Sequence, residues 1–248
     1  EINQFLDATY LKTAEQAGIS EEENQEKVAI LLQEAIQLKY KLVMIRAKYI
    51  PFAKKILTQK QATTLIGTVI DFHEGRSSTE NKLIEAQRAI RLGADELDFV
   101  INYTAFKNAE IQLVKDQVLK GTQFCLQQNK PIKWIIEVAA LTEKEIIDIT
   151  KLIKNVVVNN FDEKAFKKVF VKSSTGFFKT IDNLPNGATF ETMKLIAENA
   201  KPLQVKAAGG VRDYGTALKM ISLGVDRIGT SSAKEICTKT QNTTNQGY

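Results

Sequence analysis

The sequence predicts an α/β protein, a single (β/α)8 barrel of the TIM type, on three observations. Short β-rich segments alternate with longer amphipathic segments along almost the whole chain. These segments include eight strand candidates, the number that a closed α/β barrel requires. The length of 248 residues also suits one such barrel. A doubly wound open sheet is the alternative, but the chain lacks both the Gly-x-Gly-x-x-Gly fingerprint and a phosphate loop ending in Gly-Lys-Ser/Thr.

The strand candidates are short runs rich in β-branched, aliphatic and aromatic residues. In chain order they are Phe5–Thr9, Leu42–Ile45, Thr64–Asp71, Glu96–Asn102, Ile132–Val138, Lys168–Ser174, Leu203–Ala208 and Arg227–Thr230. Between them, apolar residues recur at helical spacing. The helices predicted from this spacing are Asn24–Leu38, Thr79–Leu92, Ile111–Gln128, Thr142–Asn155, Thr189–Asn199 and Asp213–Leu223. We therefore predict one barrel domain over residues 1–237, followed by a polar tail over residues 238–248.

Composition argues against several classes of partner. The net charge is +5, but no arginine-rich block with interleaved aromatic residues appears, so we expect no nucleic-acid binding. No apolar stretch approaches the ~20 residues of a membrane span, so we expect no membrane partner. Two cysteines are too few for a disulfide framework and indicate a reducing compartment, which predicts a cytoplasmic location. The mild positive charge suits a phosphorylated metabolite, although a solvated surface explains it equally well.

Alternation along the strands predicts charged side chains inside the barrel. In Glu96–Asn102, Leu97 and Phe99 share the face that packs under helices, so Asp98 points inward. The same reasoning applies to four other strands. The predicted inward set is Asp7, Asp98, Glu137, Lys172 and Lys206. Most of these residues lie near the carboxyl ends of their strands, where the active sites of such barrels form.

Two of these residues, Lys172 and Lys206, occupy matching Val-Lys-x-x-x-Gly frames, one strand–helix repeat apart. Adjacent strands are ~4.8 Å apart, so we expect the two ammonium groups to be close neighbours. Asp98 can pair with one of them. The other then lies beside a positive charge in a pocket of low dielectric, and both effects lower its pKa. A neutral lysine amine can form a Schiff base with a carbonyl, whereas the alternative is a purely structural ion pair.

The loops after the last two strands predict a phosphate site. AAGGVRDYGTA follows strand seven and GTSSAKE follows strand eight, and each opens onto a helix. Gly209 and Gly210 permit close backbone approach, and Ser231 and Ser232 add donors in the usual phosphate position of these barrels. Tight turns with capping serines are the alternative. Arg212 either holds phosphate or bridges to a helix, and the sequence leaves both open.

Taken together, these segments resemble the deoxyribose-phosphate aldolases, a family of class I aldolases. The matching segments are LDAT at 6–9, GADELDFV at 93–100, FVKSSTG at 170–176, VKAAGGVR at 205–212 and RIGTSS at 227–232. The resemblance implies reversible cleavage of 2-deoxyribose 5-phosphate to glyceraldehyde 3-phosphate and acetaldehyde. It implies a covalent lysine Schiff base with no metal or other cofactor, and a phosphorylated sugar as the partner. The sequence does not reveal the oligomeric state. A homodimer is the assembly that we consider.

The resemblance also implies residue roles. Lys172 would form the Schiff base, Lys206 would depress its pKa, and Asp98 would shuttle protons with Lys206. Asp7 and Thr9 would line the sugar end. Contacts to phosphate, or to the chain leading to it, would come from Thr175, Gly176, Gly209, Gly210, Ser231 and Ser232. A C-terminal tyrosine assists proton transfer in some members, which makes Tyr248 a further candidate.

One departure from the family pattern keeps other functions open. Phe177 stands where the family often has a phosphate-binding lysine, so a related class I aldolase with a different acceptor is the first alternative. The second is a phosphosugar isomerase that uses Glu137 or Asp98 as its base and the lysines only as electrostatic clamps. The third is a sugar-phosphate binder without catalysis. Binding alone does not need a neutral amine, which argues against it.

Overall fold

Eight parallel strands close into a barrel in the computed structural model, which describes residues 1–240. Consecutive strands pair in chain order, and the last strand pairs with the first. The strands are β1 Leu6–Tyr10, β2 Leu42–Ile45, β3 Leu65–Ile70, β4 Glu96–Val100, β5 Ile132–Ile135, β6 Val169–Lys172, β7 Gln204–Ala208 and β8 Arg227–Thr230. The predicted (β/α)8 barrel is confirmed.

Four strands end earlier than predicted, β3 by a single residue at Ile70. β4 ends at Val100, β5 at Ile135 and β6 at Lys172. Ile101 and Ile136, which follow β4 and β5, are buried and still bond to the neighbouring strand, since Ile101 N–H donates to Ile135 O at 3.0 Å and Ile136 N–H donates to Lys172 O at 2.9 Å. Burial and backbone hydrogen bonding therefore continue past the ends of β4 and β5, so the sequence pattern alone could not locate these ends.

Eleven helices among the described residues surround the barrel. They are α1 Ala14–Ala17, α2 Glu21–Leu38, α3 Ile50–Gln59, α4 Thr79–Leu92, α5 Tyr103–Lys107, α6 Ile111–Gln127, α7 Glu143–Asn160, α8 Glu163–Phe166, α9 Phe190–Ala200, α10 Tyr214–Ser222 and α11 Ala233–Thr238. All six predicted helices are present. α2 begins earlier than predicted because Ser20 and Glu23 form a capping box at its start. No prediction covered α3, although Pro51 in its first turn is a typical start signal.

The barrel separates an apolar outer layer from a largely charged interior. Outward residues such as Phe99, Val171 and Val205 pack in the continuous hydrophobic core between strands and helices. Inside, a smaller apolar cluster that includes Leu42, Met44 and Val69 fills one side of the barrel, while the other side holds ionised side chains together with the ring of Phe170, which lies against Lys133 and Arg227. No helix within residues 1–240 is long and apolar enough to cross a membrane.

The predicted tail falls mostly outside the described residues. α11 ends at Thr238, and the structure describes the chain as far as residue 240. Tyr248, a candidate site residue, lies outside the described residues, as does most of the segment assigned to the tail. The division of the chain at residue 238 therefore stays a prediction.

Candidate active site

Asp98, on β4, lies at the centre of the charged interior and is completely buried. Its Oδ2 accepts hydrogen bonds from Lys172 Nζ at 2.9 Å and from Lys206 Nζ at 2.8 Å. Its Oδ1 accepts a third from Lys133 Nζ at 2.8 Å. The expectation that Asp98 would pair with only one of the two predicted lysines is wrong, because a carboxylate has two oxygens and can accept several donors.

The ion pairs continue below Asp98 toward the barrel's amino end. Lys206 Nζ lies 2.6 Å from Asp7 Oδ2, and Arg227 Nε donates to Asp7 Oδ1 at 2.8 Å. Arg227 Nη2 also bonds to Glu96 Oε2 at 3.0 Å, and Glu96 in turn lies 2.6 Å from Lys133 Nζ. Lys133, Glu96 and Arg227 were not among the predicted site residues. The alternation that selected Asp98 and Lys172 also points Glu96 and Lys133 inward, so that signal was present.

This buried network, which we call the ionic core, carries one more positive than negative charge. Its members are Asp7, Glu96, Asp98, Lys133, Lys172, Lys206 and Arg227. Three carboxylates face four cations when every group is ionised. Buried charges are stable only when they are paired, so loss of one proton from a lysine brings the ionic core to neutrality.

Lys172 is the member best placed to lose that proton. Burial lowers the pKa of Lys172 to about 8, Asp98 opposes this, and the charges of Lys206 and Lys133 add to it. Burial alone would raise the pKa of Asp98, but Lys133, Lys172 and Lys206 together hold it well below its usual range. Asp98 therefore remains a carboxylate while Lys172 can exist as a free amine near neutral pH.

Lys206 and Lys172 differ in their partners. The Lys206 ammonium is bound by Asp7 and Asp98, whereas within residues 1–240 the ammonium of Lys172 forms an ion pair with Asp98 alone. In the part of the chain that the structure describes, the Lys172 ammonium thus has one carboxylate partner and the Lys206 ammonium has two. Gly229, on β8, leaves room for Lys206, since a Cβ there would lie 3.0 Å from its Cε. The geometry favours Lys172 as the nucleophile and Lys206 as its charged neighbour.

Asp7 and Thr9, predicted to line the sugar end, lie on β1 and are buried. Asp7 is completely buried, and its two oxygens face Lys206 and Arg227. Thr9 donates its hydroxyl to the carbonyl of Asp7 at 2.9 Å. The cation Arg227 approaches Asp7 from the next strand, and the roles of Asp7 and Thr9 at the sugar end stay predictions. Asp7 is a partner of Lys206.

Glu137 does not join the lysines. β5 ends at Ile135, and Glu137 has a left-handed backbone with φ of 61°, so strand alternation no longer determines its direction. Its carboxylate accepts hydrogen bonds from the backbone N–H of Thr175, at 3.2 Å, and from the Thr175 hydroxyl. Burial raises the pKa of Glu137 to about 7. The predicted inward set of five is thus a group of four, and Glu137 is attached to the loop after β6.

The loops after β7 and β8 lie side by side, as the phosphate prediction required. Gly209 and Gly210 both have left-handed backbones, with φ of 78° and 82°, which an L side chain adopts at a cost. The Thr230 hydroxyl donates to Val211 O at 2.7 Å and joins the two loops. Ser232 is buried at the start of α11, whereas Ser231 and Arg212 are exposed. Thr175 and Gly176 follow β6, two strands from β8.

Aromatic residues cover part of the barrel mouth. Phe177 stacks on His73 with ring centroids 5.6 Å apart and meets Phe72 edge-on at 5.0 Å. Phe72 and Phe177 also pack on the inner apolar cluster. A cavity of about 660 Å³ adjoins this group. Its lining includes Lys12, His73, Arg76, Tyr103, Phe177 and Lys179.

The chain is similar to aldolases of known sequence over most of its length. A family model described as DeoC/LacD family aldolase matches residues 11–239. A deoxyribose-phosphate aldolase from Thermococcus kodakarensis is 35% identical over 237 residues, which is 95% of each chain. Another, from Mycoplasma capricolum, is 33% identical over 246 residues, covering 99% of this chain and 98% of the relative.

A solved structure agrees with the sequence comparisons. The deoxyribose phosphate aldolase from Aeropyrum pernix, described as having a unique tetrameric structure, superposes with a TM-score of 0.76. It is 25% identical in sequence, and the match covers 96% of this chain and 89% of that one. The similarity therefore extends over the whole barrel and is not confined to the site.

Proposed function

Because the chain belongs to the DeoC/LacD family of aldolases, we propose that it is a deoxyribose-phosphate aldolase. The reaction is the reversible cleavage of 2-deoxy-D-ribose 5-phosphate to D-glyceraldehyde 3-phosphate and acetaldehyde. The observation that supports this most strongly is Lys172, a buried lysine in an ionic core that becomes neutral when this side chain loses its proton. An amine in that state is the nucleophile that a Schiff-base aldolase needs.

In the first step the free amine of Lys172 adds to the C1 aldehyde of the open-chain sugar. The carbinolamine that forms then loses water and becomes a protonated imine. The departing hydroxyl needs a proton, and the Lys206 ammonium, which shares Asp98 Oδ2 with Lys172, is the nearest charged donor. Because both lysines bind the same oxygen of Asp98, the nucleophile Lys172 lies beside the acid Lys206.

In the second step the bond between C2 and C3 breaks, because these are the carbons α and β to the imine. Its electrons move to the iminium nitrogen, the C3 hydroxyl loses its proton, and glyceraldehyde 3-phosphate leaves. The remaining enamine is protonated at C2 and hydrolysed to acetaldehyde. Asp98 is a weak base because three ammonium groups bind it, so we assign it the orientation of a water that accepts the C3 proton.

The loops after β7 and β8 would hold the phosphate. Gly209 and Gly210 let the backbone approach the anion, and Ser231 and Ser232 follow β8 at the same end of the barrel. Thr175 and Gly176 would contact the chain that leads to it. Arg212 is exposed beside these loops, and both of its predicted roles remain open.

This chemistry needs no metal or organic cofactor, because the lysine imine itself accepts the electrons of the broken bond. The reaction would serve the breakdown of deoxyribonucleotides in the cytoplasm. A homodimer stays our prediction for the assembly.

The proposal is tested by incubating the protein with 2-deoxyribose 5-phosphate and measuring glyceraldehyde 3-phosphate and acetaldehyde with coupled dehydrogenases. Unphosphorylated 2-deoxyribose is the comparison substrate. We expect both products in equal amounts and a preference for the phosphorylated sugar. A preference for the unphosphorylated sugar would favour an aldolase with a different acceptor. An isomerised sugar without acetaldehyde would favour the isomerase, and no turnover of either sugar would favour the binder.

The pH dependence of imine formation follows from Lys172. Its pKa is lowered to about 8, and the nucleophile is the neutral form that predominates above this value. We expect the rate of adduct formation with acetaldehyde to rise with pH, to level off above about pH 9, and to be about 100-fold lower at pH 6. Stopped-time borohydride trapping across this range measures it. A rate of adduct formation that does not change with pH would show that deprotonation of Lys172 does not limit the reaction.

Gly187→Ala is expected to disturb the phosphate loop. A Cβ at Gly187 would lie 2.5 Å from the backbone carbonyl carbon of Gly209. This clash is with the backbone, so no side-chain movement can relieve it. The N–H of Ala188 also donates to Gly209 O at 2.9 Å, so the two loops cannot separate freely. We expect KM for the phosphorylated sugar to rise about tenfold, with a loss of stability of about 1–3 kcal/mol. Steady-state kinetics measures KM. An equal rise in KM for unphosphorylated deoxyribose would show that the change does not act through the phosphate.

A further inference from the structure

Glu137 is a buried acid that the proposed reaction does not use. It lies just after β5, outside the ionic core, and is completely buried. Its left-handed backbone is unfavourable for a residue with a side chain, and such a conformation persists where surrounding contacts hold it. The contacts that hold Glu137 come from the loop after β6, since Thr175 donates both its N–H and its hydroxyl to the carboxylate.

Those hydrogen bonds are the first part of a chain that extends to the barrel mouth. The hydroxyl oxygen of Thr175 accepts the backbone N–H of Phe177 at 3.1 Å. From the other side, Asn186 Nδ2 donates to the carbonyls of Gly176 and Phe178, at 3.1 and 3.2 Å. Residues 175–178 are therefore fixed by side chains from both directions, and Glu137 is the anchor on the β5 side.

The segment held in this way adjoins the proposed substrate position. It begins three residues after Lys172, the proposed nucleophile, and it contains Thr175 and Gly176. Phe177 extends from it across the mouth, where it stacks on His73 and packs on the inner apolar cluster. It also forms part of the wall of the cavity of about 660 Å³.

We propose that Glu137 is a positioning residue, whose hydrogen bonds to Thr175 hold residues 175–178 where they bind the far end of the sugar phosphate and where Phe177 covers the barrel mouth. This inference rests on the proposed function. Acetaldehyde has only two carbons and occupies the position next to Lys172, whereas the five-carbon sugar phosphate extends to this loop. Loss of the anchor therefore affects the long substrate more than the short one.

The test compares four single variants and one double variant in two assays. Glu137→Gln keeps one acceptor but turns an amide donor toward Thr175, and Glu137→Gly removes the carboxylate while suiting the left-handed backbone. Thr175→Val removes the hydroxyl, and Thr175→Ser is its conservative control. We measure KM and kcat for 2-deoxyribose 5-phosphate cleavage and the rate of borohydride-trapped adduct formation with acetaldehyde. Circular dichroism and thermal unfolding establish which variants are folded.

We expect KM to rise about tenfold in Glu137→Gln, Glu137→Gly and Thr175→Val, the equivalent of one lost hydrogen bond to a charged group. Adduct formation with acetaldehyde should change by less than about threefold, and Thr175→Ser should restore KM. In the Glu137→Gln background, Thr175→Val should add little, because both changes break the same contact.

Equal falls in adduct formation and cleavage would overturn the inference, since they would show that Glu137 acts on the lysine chemistry. An unchanged KM in folded Glu137→Gln and Glu137→Gly would also overturn it. Failure of the proposed function is recognised separately, because the unaltered protein would then form no adduct with acetaldehyde or would not cleave 2-deoxyribose 5-phosphate.

Discussion

Replacing Lys172 with alanine is expected to abolish the covalent adduct with acetaldehyde and to lower sugar-phosphate cleavage by about 10⁴-fold or more. The reason is that no other amine in the ionic core is equally free. Lys206 is bound by two carboxylates, and so is Lys133, through Asp98 and Glu96. The remaining cation, Arg227, does not give up its proton in proteins.

The measurement is borohydride reduction in the presence of acetaldehyde, followed by intact mass and peptide mapping. The unaltered protein should gain one reduced two-carbon group on Lys172, and Lys172→Ala should gain none at that position. Lys194→Ala, which changes an exposed lysine on α9, is the matched control and should keep the full adduct. An adduct on Lys206 in the unaltered protein would reverse the roles of the two lysines. No adduct in a folded protein would remove the Schiff-base mechanism.

Replacing Asp98 with asparagine is expected to have the second largest effect, because it acts on both stability and catalysis. The change removes a charge that Lys133, Lys172 and Lys206 share. Lys133 and Lys206 keep Glu96 and Asp7, but Lys172 loses its ion-pair partner. Breaking a buried pair typically costs about 3–5 kcal/mol, so we expect a loss of that order in the free energy of unfolding. Cleavage should fall by about 10³-fold, since the water that takes the C3 proton loses its orienting carboxylate.

Asp98→Asn is also expected to change the pH dependence of adduct formation. Asp98 opposes the lowering of the Lys172 pKa, so without this carboxylate the pKa falls further. The pH midpoint of adduct formation with acetaldehyde should therefore move below its value in the unaltered protein, even as cleavage falls. Borohydride trapping from pH 5 to 9 measures the midpoint, and urea unfolding measures the loss in the free energy of unfolding. A midpoint that moves upward would show that Asp98 does not stabilise the Lys172 ammonium.

The strand pattern was predictable because a parallel barrel strand has two different faces. Leu97 and Phe99 had to face helices, so Asp98 had to face inward, and the structure shows this arrangement. The repeated Val-Lys frame likewise put Lys172 opposite Lys206, which are direct neighbours in the β6–β7 register. Both inferences use only local alternation and the order of the strands.

Other features depended on contacts that alternation does not describe. Glu137 was predicted to join the lysines, but β5 ends two residues before it and a left-handed turn directs it to Thr175. The hydrogen bond from Arg227, which is distant in sequence, to the carboxylate of Asp7 was not predicted. The roles assigned to Tyr248 and to the phosphate-loop residues stay predictions.

The sequence by itself determined the barrel, the inward direction of Asp98, Lys172 and Lys206, and the end of the barrel at which they meet. These follow from periodicity, which is a property of each strand alone. Only the tertiary structure shows the ion pairs that favour Lys172 over Lys206 as the lysine that loses its proton. That depends on how many carboxylates surround each ammonium, and those carboxylates come from β1 and β4, far from Lys172 and Lys206 in sequence. Charge balance in a buried core is a property of all the strands together, because the electrostatic energy of each group depends on every other charge that lies within reach.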